Sequence, residues 1–201
     1  MKALSLYPAW PSGESWGEPM SITTKTGDSG ETGLLFAKRT RKDDPRITAC
    51  GDVDELNASI GLARANLQDT SIHSRLETIQ KALIALMGEL ATQSEDKAQY
   101  AASSFTKLTA GDTQQLEAWI AEYESGGLTF AGWALPGGTV ASAHLDMART
   151  VCRRAERSVV AINAAESNEP SKGIIYLNRL SDLLWLMARF VDSKPGSSQL
   201  A

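Results

Sequence analysis

The chain has 201 residues, a formal net charge of −4 and 22% charged residues. That length suits one domain with a sizeable core, and the charge balance argues against a general nucleic-acid binder, whose phosphate contacts need a basic surface. No apolar run reaches the roughly 18 residues of a membrane span, no contiguous apolar h-region marks a secretory signal, and the pair Cys50 and Cys152 fits neither a metal spacing nor a disulfide framework, so a soluble protein of the reducing cytoplasm, with no membrane or nucleic-acid partner, is expected.

Residues 1–20 are rich in Pro, Gly, Ser and Trp, carry no period and end at Met20. They read as a flexible extension, and Met20 is a candidate translation start. An intact mass of the natively expressed protein beginning at Met1 would exclude that start.

Thr23 to Gly33 follows, with glycines at 27, 30 and 33 among hydroxyls, Lys25 and Asp28. Such a loop can bring bare backbone N–H groups, hydroxyls and an ammonium to a polyphosphate. It is neither a Walker A loop, lacking the closing Gly-Lys-Ser/Thr, nor a dinucleotide G-x-G-x-x-G, and taken alone it also fits an ordinary Gly/Ser/Thr turn.

Arg39 to Arg46 is a polar connector in which Pro45 discourages helix before it. Apolar periodicity then predicts a helix from about 52 to 67, with Val53, Leu56, Ile60, Ala63 and Leu67 on its stripe and acidic residues in its first turn. A second is predicted over about 72–93 on Ile72, Leu76, Ile79, Leu83, Leu86 and Leu90. Residues 94–110 read as loop, and Asp112 caps a third helix to about Tyr123, buried through Leu116, Trp119, Ile120 and Tyr123 and ended by Gly126-Gly127.

The turn Leu135-Pro136-Gly137-Gly138-Thr139 leads into a fourth helix, to about Ala165, and Glu169-Pro170-Ser171 opens a fifth over 172–193. In the fourth, His144, Ala148, Val151, Ala155, Val159 and Ile162 form the apolar stripe, and Arg149, Arg153 and Glu156 lie about a third of a turn away. Arg154 and Arg157 point elsewhere. This arginine cluster is a candidate anion site, against the plainer reading of a solvated face with i,i+4 pairs. In the nearly all-apolar fifth helix, Asn178, Asp182, Trp185 and Arg189 share about 60° of arc and must face another helix or a ligand. Five helices with almost no strand signal imply an all-α bundle. Against a carboxylate-bridged metal bundle, neither His73 nor His144 has Glu three residues before it.

Taken together, TKTGDSGETGLL, the DVDELNASIG helix, LPGG followed by ARTVCRRAER, and YLNRLSDLLW resemble the PduO-type ATP:cob(I)alamin adenosyltransferases. The four motifs occur in the expected order over about 21–192, leaving 1–20 as the extension and 193–201 as a tail. The resemblance implies a five-helix bundle with an N-terminal nucleotide-binding loop, assembled as a homotrimer with ATP at the cleft between adjacent subunits. It implies transfer of the 5′-deoxyadenosyl group of ATP to Co(I) of a reduced corrinoid such as cob(I)alamin, with release of inorganic triphosphate. Cobalt is then the nucleophile, in keeping with a sequence that shows no Ser, Cys or His triad.

Carried over by position, the resemblance implies that Thr24, Lys25, Thr26 and Gly27, with Thr32 and Gly33, wrap the triphosphate, and that Lys42 adds a second ammonium. Arg153 is expected on the phosphates, where a planar guanidinium can engage oxygens bidentately. Glu156 and Asn178 match positions for nucleotide or Mg²⁺-associated contacts, and Arg154 and Arg157 complete the ATP-binding set. Mg²⁺ is expected to offset triphosphate charge through its bound waters; no protein ligand for it is assigned. Arg149 is expected to pair with Asp54 of a neighbouring subunit, joining Arg153 as the catalytic set, although Asp54 also reads as a stabiliser of its own helix N-terminus.

Trp133 and Trp185 match an aromatic wedge that displaces the lower axial ligand of cobalt, and both are tryptophan where phenylalanine is usual. Asp146 stands where many relatives carry histidine; it either faces solvent or replaces a hydrogen bond near Arg149. The resemblance further implies a flavoprotein-type reductase that supplies the electron and an adenosylcobalamin-dependent enzyme that receives the product. The alternative function is a catalytically weak ATP- and cobalamin-binding module for delivery or regulation.

Overall fold

Side-chain caps set where the long helices begin. In the computed structural model, which describes residues 23, 25–128, 134–167 and 169–194, Asp44 caps α1 (Pro45–Ala65) by accepting from the Arg46 N–H at 2.8 Å, and Pro45 occupies the first helical turn. The helix therefore starts seven residues before the apolar period suggests. Proline is well placed there, because its missing N–H would have had no intrahelical partner. Asp54 consequently lies in the third turn, beyond the reach of the helix dipole, which overturns its reading as a stabiliser of the helix N-terminus.

Asp69 caps α2 (Thr70–Leu90), and Ser171 caps α6 (Lys172–Ser193). Reciprocal capping boxes, Thr109 with Asp112 and Thr139 with Ser142, start α4 (Ala110–Ser125) and α5 (Val140–Glu166). Asp112 is thus the third helical residue of α4 rather than its cap. Residues 94–110, expected as loop, contain a 3₁₀ turn at Ser94–Asp96 and the short helix α3 (Lys97–Ala102), where Tyr100 is buried. One apolar anchor in six residues leaves no period to read.

The described residues are 70% helical, and five long helices among them form the expected bundle. Its one sheet among the described residues is the antiparallel pair β1 (Glu31–Gly33) and β2 (Arg39–Arg41), with Thr32 opposite Thr40. Three-residue strands are too short to show alternation, so this hairpin left no sequence signal. It is tied to the end of α2 by the Leu35 N–H, which donates to the Ala91 carbonyl at 3.0 Å.

Helix α5 lies between α1 and α6; α2 packs on α1, and α4 on α6. Leu56, Ile60, Leu76, Ile79, Leu83, Leu145, Leu177 and Leu180 are fully buried between them, and each such side chain contributes about 1.5–3 kcal/mol. Of the stripe predicted for α5, Ala148, Val151, Ala155, Val159 and Ile162 are buried, while His144 is only half-buried at its edge. No helix is long and apolar enough to cross a membrane among the described residues.

Candidate functional site

Two separate surfaces carry the predicted residues. The first is the loop before β1. Lys25 takes a left-handed φ of 57°, and the loop turns through Gly30 at φ 83°. It is pinned to the hairpin because the Lys42 N–H donates to the Gly30 carbonyl at 2.8 Å and Arg39 Nη2 donates to the Thr26 carbonyl at 2.8 Å. The Lys42 ammonium lies directly over Gly27: a Cβ there would stand 3.0 Å from Nζ. Glycine therefore lets the ammonium settle against the loop backbone. Lys25, Thr26, Gly33 and Lys42 are exposed, and Gly27 and Thr32 half-exposed, so the surface is open to an anion. Thr24 lies outside the described residues.

The second surface is the α5 face turned toward α6. Helix pairing is fixed at one end by Arg189 Nη2, which donates to Asp146 Oδ2 at 2.5 Å, and at the other by Asn178 Nδ2, which donates to Glu156 Oε1 at 3.3 Å. Between them the Cys152 thiol donates to the Leu177 carbonyl at 3.2 Å. Along α5, Arg149 and Arg153 fall between these contacts, and Arg153 and Asp182 both act electrostatically on Cys152. Trp185 is half-buried and lines an open groove of about 520 Å³ between α4 and α6, with Ile120, Arg179, Asp182 and Leu186 among its walls. Trp133 lies outside the described residues.

Three of the four clustered arginines of α5 have partners, each a different one. Arg154 donates to Asp52 Oδ1 at 3.2 Å and pairs with Glu55, both on α1, and Ser158 Oγ donates to the other Asp52 oxygen at 2.5 Å. Arg157 donates to the Arg153 carbonyl at 3.0 Å. Arg149 donates through Nε to Asp146 Oδ1 at 3.3 Å. Among the described residues, Arg153 alone of the arginines on α5 and α6 makes no side-chain hydrogen bond or ion pair. The structure thus brings Arg149, Arg153, Glu156 and Asn178 together along the α5–α6 contact, leaves Trp185 in the groove between α4 and α6, and sets Arg154 on the α1 side.

Asp146 is 4% exposed, so its solvent-facing alternative is overturned and its place beside Arg149 is the observed one. The pairing with Arg189 could not be read from sequence, because it joins residues 43 apart. Two signals pointed toward it: the i,i+3 spacing to Arg149, and the polar stripe on α6 that ends at Arg189.

Neither thiol is suited to nucleophilic work. Burial pushes Cys152 far up and Cys50 up to about 11, so both stay protonated at neutral pH. For Mg²⁺, no cluster of three His, Cys, Asp or Glu side chains exists among the described residues. Glu156 nevertheless uses only Oε1 on Asn178, which suits a magnesium carried in on phosphate oxygens and held mainly through waters.

The loop and the arginine face do not meet within one chain. Arg46, near the loop, pairs with Glu166 at the end of α5; Arg153 is 13 residues earlier, about 20 Å along the axis. Among the described residues no hydrogen bond or ion pair joins the loop to Arg149 or Arg153.

Residues 22–191 match the family model described as Cobalamin adenosyltransferase. The cobalamin adenosyltransferase of Cupriavidus metallidurans is 41% identical over 89% of this chain and 92% of its own length. The corrinoid adenosyltransferase of Bacillus subtilis is 40% identical, over 88% and 89% respectively. Among solved structures, a variant PduO-type ATP:corrinoid adenosyltransferase from Lactobacillus reuteri, complexed with cobalamin and ATP, superposes with a TM-score of 0.76 at 34% identity, covering 86% of this chain and 91% of that one.

Proposed function

The chain belongs to the cobalamin adenosyltransferase family, and from that premise we propose how its residues serve ATP-dependent adenosyl transfer to a reduced corrinoid. A Co–C bond forms at C5′ of ATP as the C5′–O bond breaks, and the bond pair leaves with triphosphate. Cobalt supplies the attacking pair, so the protein's work is to align the two substrates and to stabilise charge on the leaving group.

The observation that carries this assignment is Arg153: a guanidinium without an internal partner among the described residues, on a face where Arg149 and Arg189 are already paired with Asp146. It takes the triphosphate, with Lys25 and Lys42 from the loop and backbone N–H groups around Thr24, Thr26, Gly27, Thr32 and Gly33. Glu156 and Asn178, already joined, hold the nucleotide and the water shell of Mg²⁺, which supplies charge neutralisation. Arg154 and Arg157 add positive potential rather than direct contacts, since each is engaged elsewhere. Trp185, half-buried in its groove, would serve as an apolar wedge that keeps the lower ligand off cobalt and so favours Co(I), the role the sequence motif also gives to Trp133.

The separation of loop from arginine face supports an assembly in which one subunit's loop meets its neighbour's α5. A homotrimer with ATP in each cleft provides this, and pairs Arg149 with Asp54 of the adjacent subunit. Both have capacity for it, for Asp54 is exposed and has no side-chain hydrogen bond or ion pair among the described residues. The protein works in the cytoplasm, with a flavoprotein-type reductase upstream and an adenosylcobalamin-dependent enzyme downstream.

Anaerobic incubation with ATP, Mg²⁺ and chemically reduced cob(I)alamin tests the reaction, following the cobalamin spectrum and triphosphate together. Light-sensitive adenosylcobalamin with equimolar triphosphate is expected. ATP binding with neither product would favour a delivery or regulatory module instead.

A further inference from the structure

Asp146 is 4% exposed and lies at the crossing of α5 and α6. One of its carboxylate oxygens accepts from Arg189 Nη2 at 2.5 Å, and the other accepts from Arg149 Nε at 3.3 Å. The Arg189 side chain is itself only 10% exposed and is also 3.3 Å from Asp192. Asp192 in turn lies against the turn before α5, where a Cβ on Gly138 would stand 2.7 Å from its Cγ. A buried carboxylate is costly unless its oxygens are used. This one spends both on guanidinium groups from two helices, so it has little freedom to rotate.

The consequence falls on Arg149. Its Nε is committed to Asp146, while Nη1 and Nη2 make no hydrogen bond among the described residues and the side chain is 26% exposed. An arginine side chain has many rotamers, and fixing it at Nε removes much of that freedom before any outside group arrives. The Nη1 and Nη2 groups remain available to a group from outside the chain.

We propose that Asp146 is a positioning residue for Arg149: clamped by Arg189, it holds the Arg149 fork aimed out of the α5 face at the site of adenosyl transfer. The role rests on the reading of that face given under Proposed function. Asp146 touches no substrate and acts only through Arg149, which distinguishes it from a simple helix-to-helix tie.

The test is a double-mutant cycle on the full chain. Asp146→Asn keeps shape and an acceptor but loses charge, and Arg189 retains Asp192 as its counterion. Turnover and KM for ATP are measured for D146N, R149K and the double variant, well below each melting temperature and under single-turnover conditions where rates are slow. D146N is expected to lose about tenfold in kcat, with KM for ATP within about threefold, whereas in the R149K background the same substitution should cost no more than about twofold. Arg189→Lys, which frees the carboxylate from the other side, should lose turnover in the same sense and likewise be silent beside R149K.

Parent-like kcat in both D146N and Arg189→Lys, or an equal loss from D146N in the parent and in the R149K background, would overturn the proposal, since a merely structural tie is additive. Failure of the reading beneath it looks different: the unsubstituted protein would then form no adenosylcorrinoid at all, and the positioning role would fall with it.

Discussion

Gly27→Ala isolates one contact of the proposed phosphate loop. Gly27 is not among the residues with positive φ, so alanine meets no backbone penalty. What it meets is Lys42: the new Cβ would stand 3.0 Å from Nζ and 3.2 Å from Cε, against ordinary contact beginning near 3.4 Å. Nζ ends a flexible side chain, so the ammonium moves rather than the loop. With an ammonium–phosphate separation of about 3 Å and an effective dielectric near 20, retreat by about 0.5 Å loses about 0.8 kcal/mol and retreat by about 1 Å about 1.4 kcal/mol.

The expected result is a four- to tenfold weaker ATP affinity, as about 1.4 kcal/mol is tenfold, with a melting temperature close to the parent's. Calorimetric titration of ATP with Mg²⁺ and a thermal melt without nucleotide read the two quantities. Lys42→Ala should weaken binding further, and adding Gly27→Ala to it should then cost nothing more. Unchanged affinity in Gly27→Ala would refute the placement of the Lys42 ammonium on the triphosphate. A full additional loss in the double variant would show that Gly27 acts by letting its own backbone approach the ligand.

Three further outcomes are expected. Arg153→Ala should lower turnover on the order of a hundredfold with little change in melting temperature, because the side chain has no internal partner; unchanged turnover in the coupled spectral and triphosphate assay removes Arg153 from the leaving group. Gly138→Ala drives a Cβ to 2.7 Å from Cγ of Asp192, which Arg189 holds in place, and should cost about 1–3 kcal/mol in denaturant unfolding; a neutral result would mean that the contact yields freely. Glu89 accepts from the Leu108 N–H at 3.0 Å, and burial raises its pKa above the unfolded value. Its contribution to stability is therefore fully present below the unfolded pKa and lost as pH rises through the folded one, so Glu89→Gln should stabilise at pH 7 and lose that gain in acid. Equal stabilisation at pH 7 and pH 4 in urea titrations would refute the burial argument.

The long helices were legible because their apolar faces repeat at helical spacing for four turns or more, as from Ile72 through Leu90. Their beginnings were less so. Pro45 reads as a barrier from one side and as a favoured first-turn residue from the other, and only the Asp44 cap decides between them. Helix α3 and the hairpin are too short to carry a period. In the site, the shared face of Arg149, Arg153 and Glu156 followed from angle alone. The Asp146–Arg189 pair, by contrast, depends on how deeply α5 and α6 interlock, which no local pattern encodes.

Arg149, Arg153, Arg154 and Arg157 fall within nine consecutive residues, yet geometry gives each a different electrostatic state. A step of 100° per residue places Arg154 on the α1 side, where Asp52 and Glu55 neutralise it, and places Arg149 on the α6 side, where Asp146 takes one of its donors. Arg157 turns back on its own helix. Arg153, one residue from the neutralised Arg154, keeps its whole guanidinium. An incoming polyphosphate must therefore break no existing ion pair to bind Arg153, whereas binding Arg154 would first require releasing two carboxylates. In the proposed site, availability of the fork rather than the number of arginines is what would select the anion's partner, and the acidic residues of α1 sharpen the choice by withdrawing Arg154 from competition.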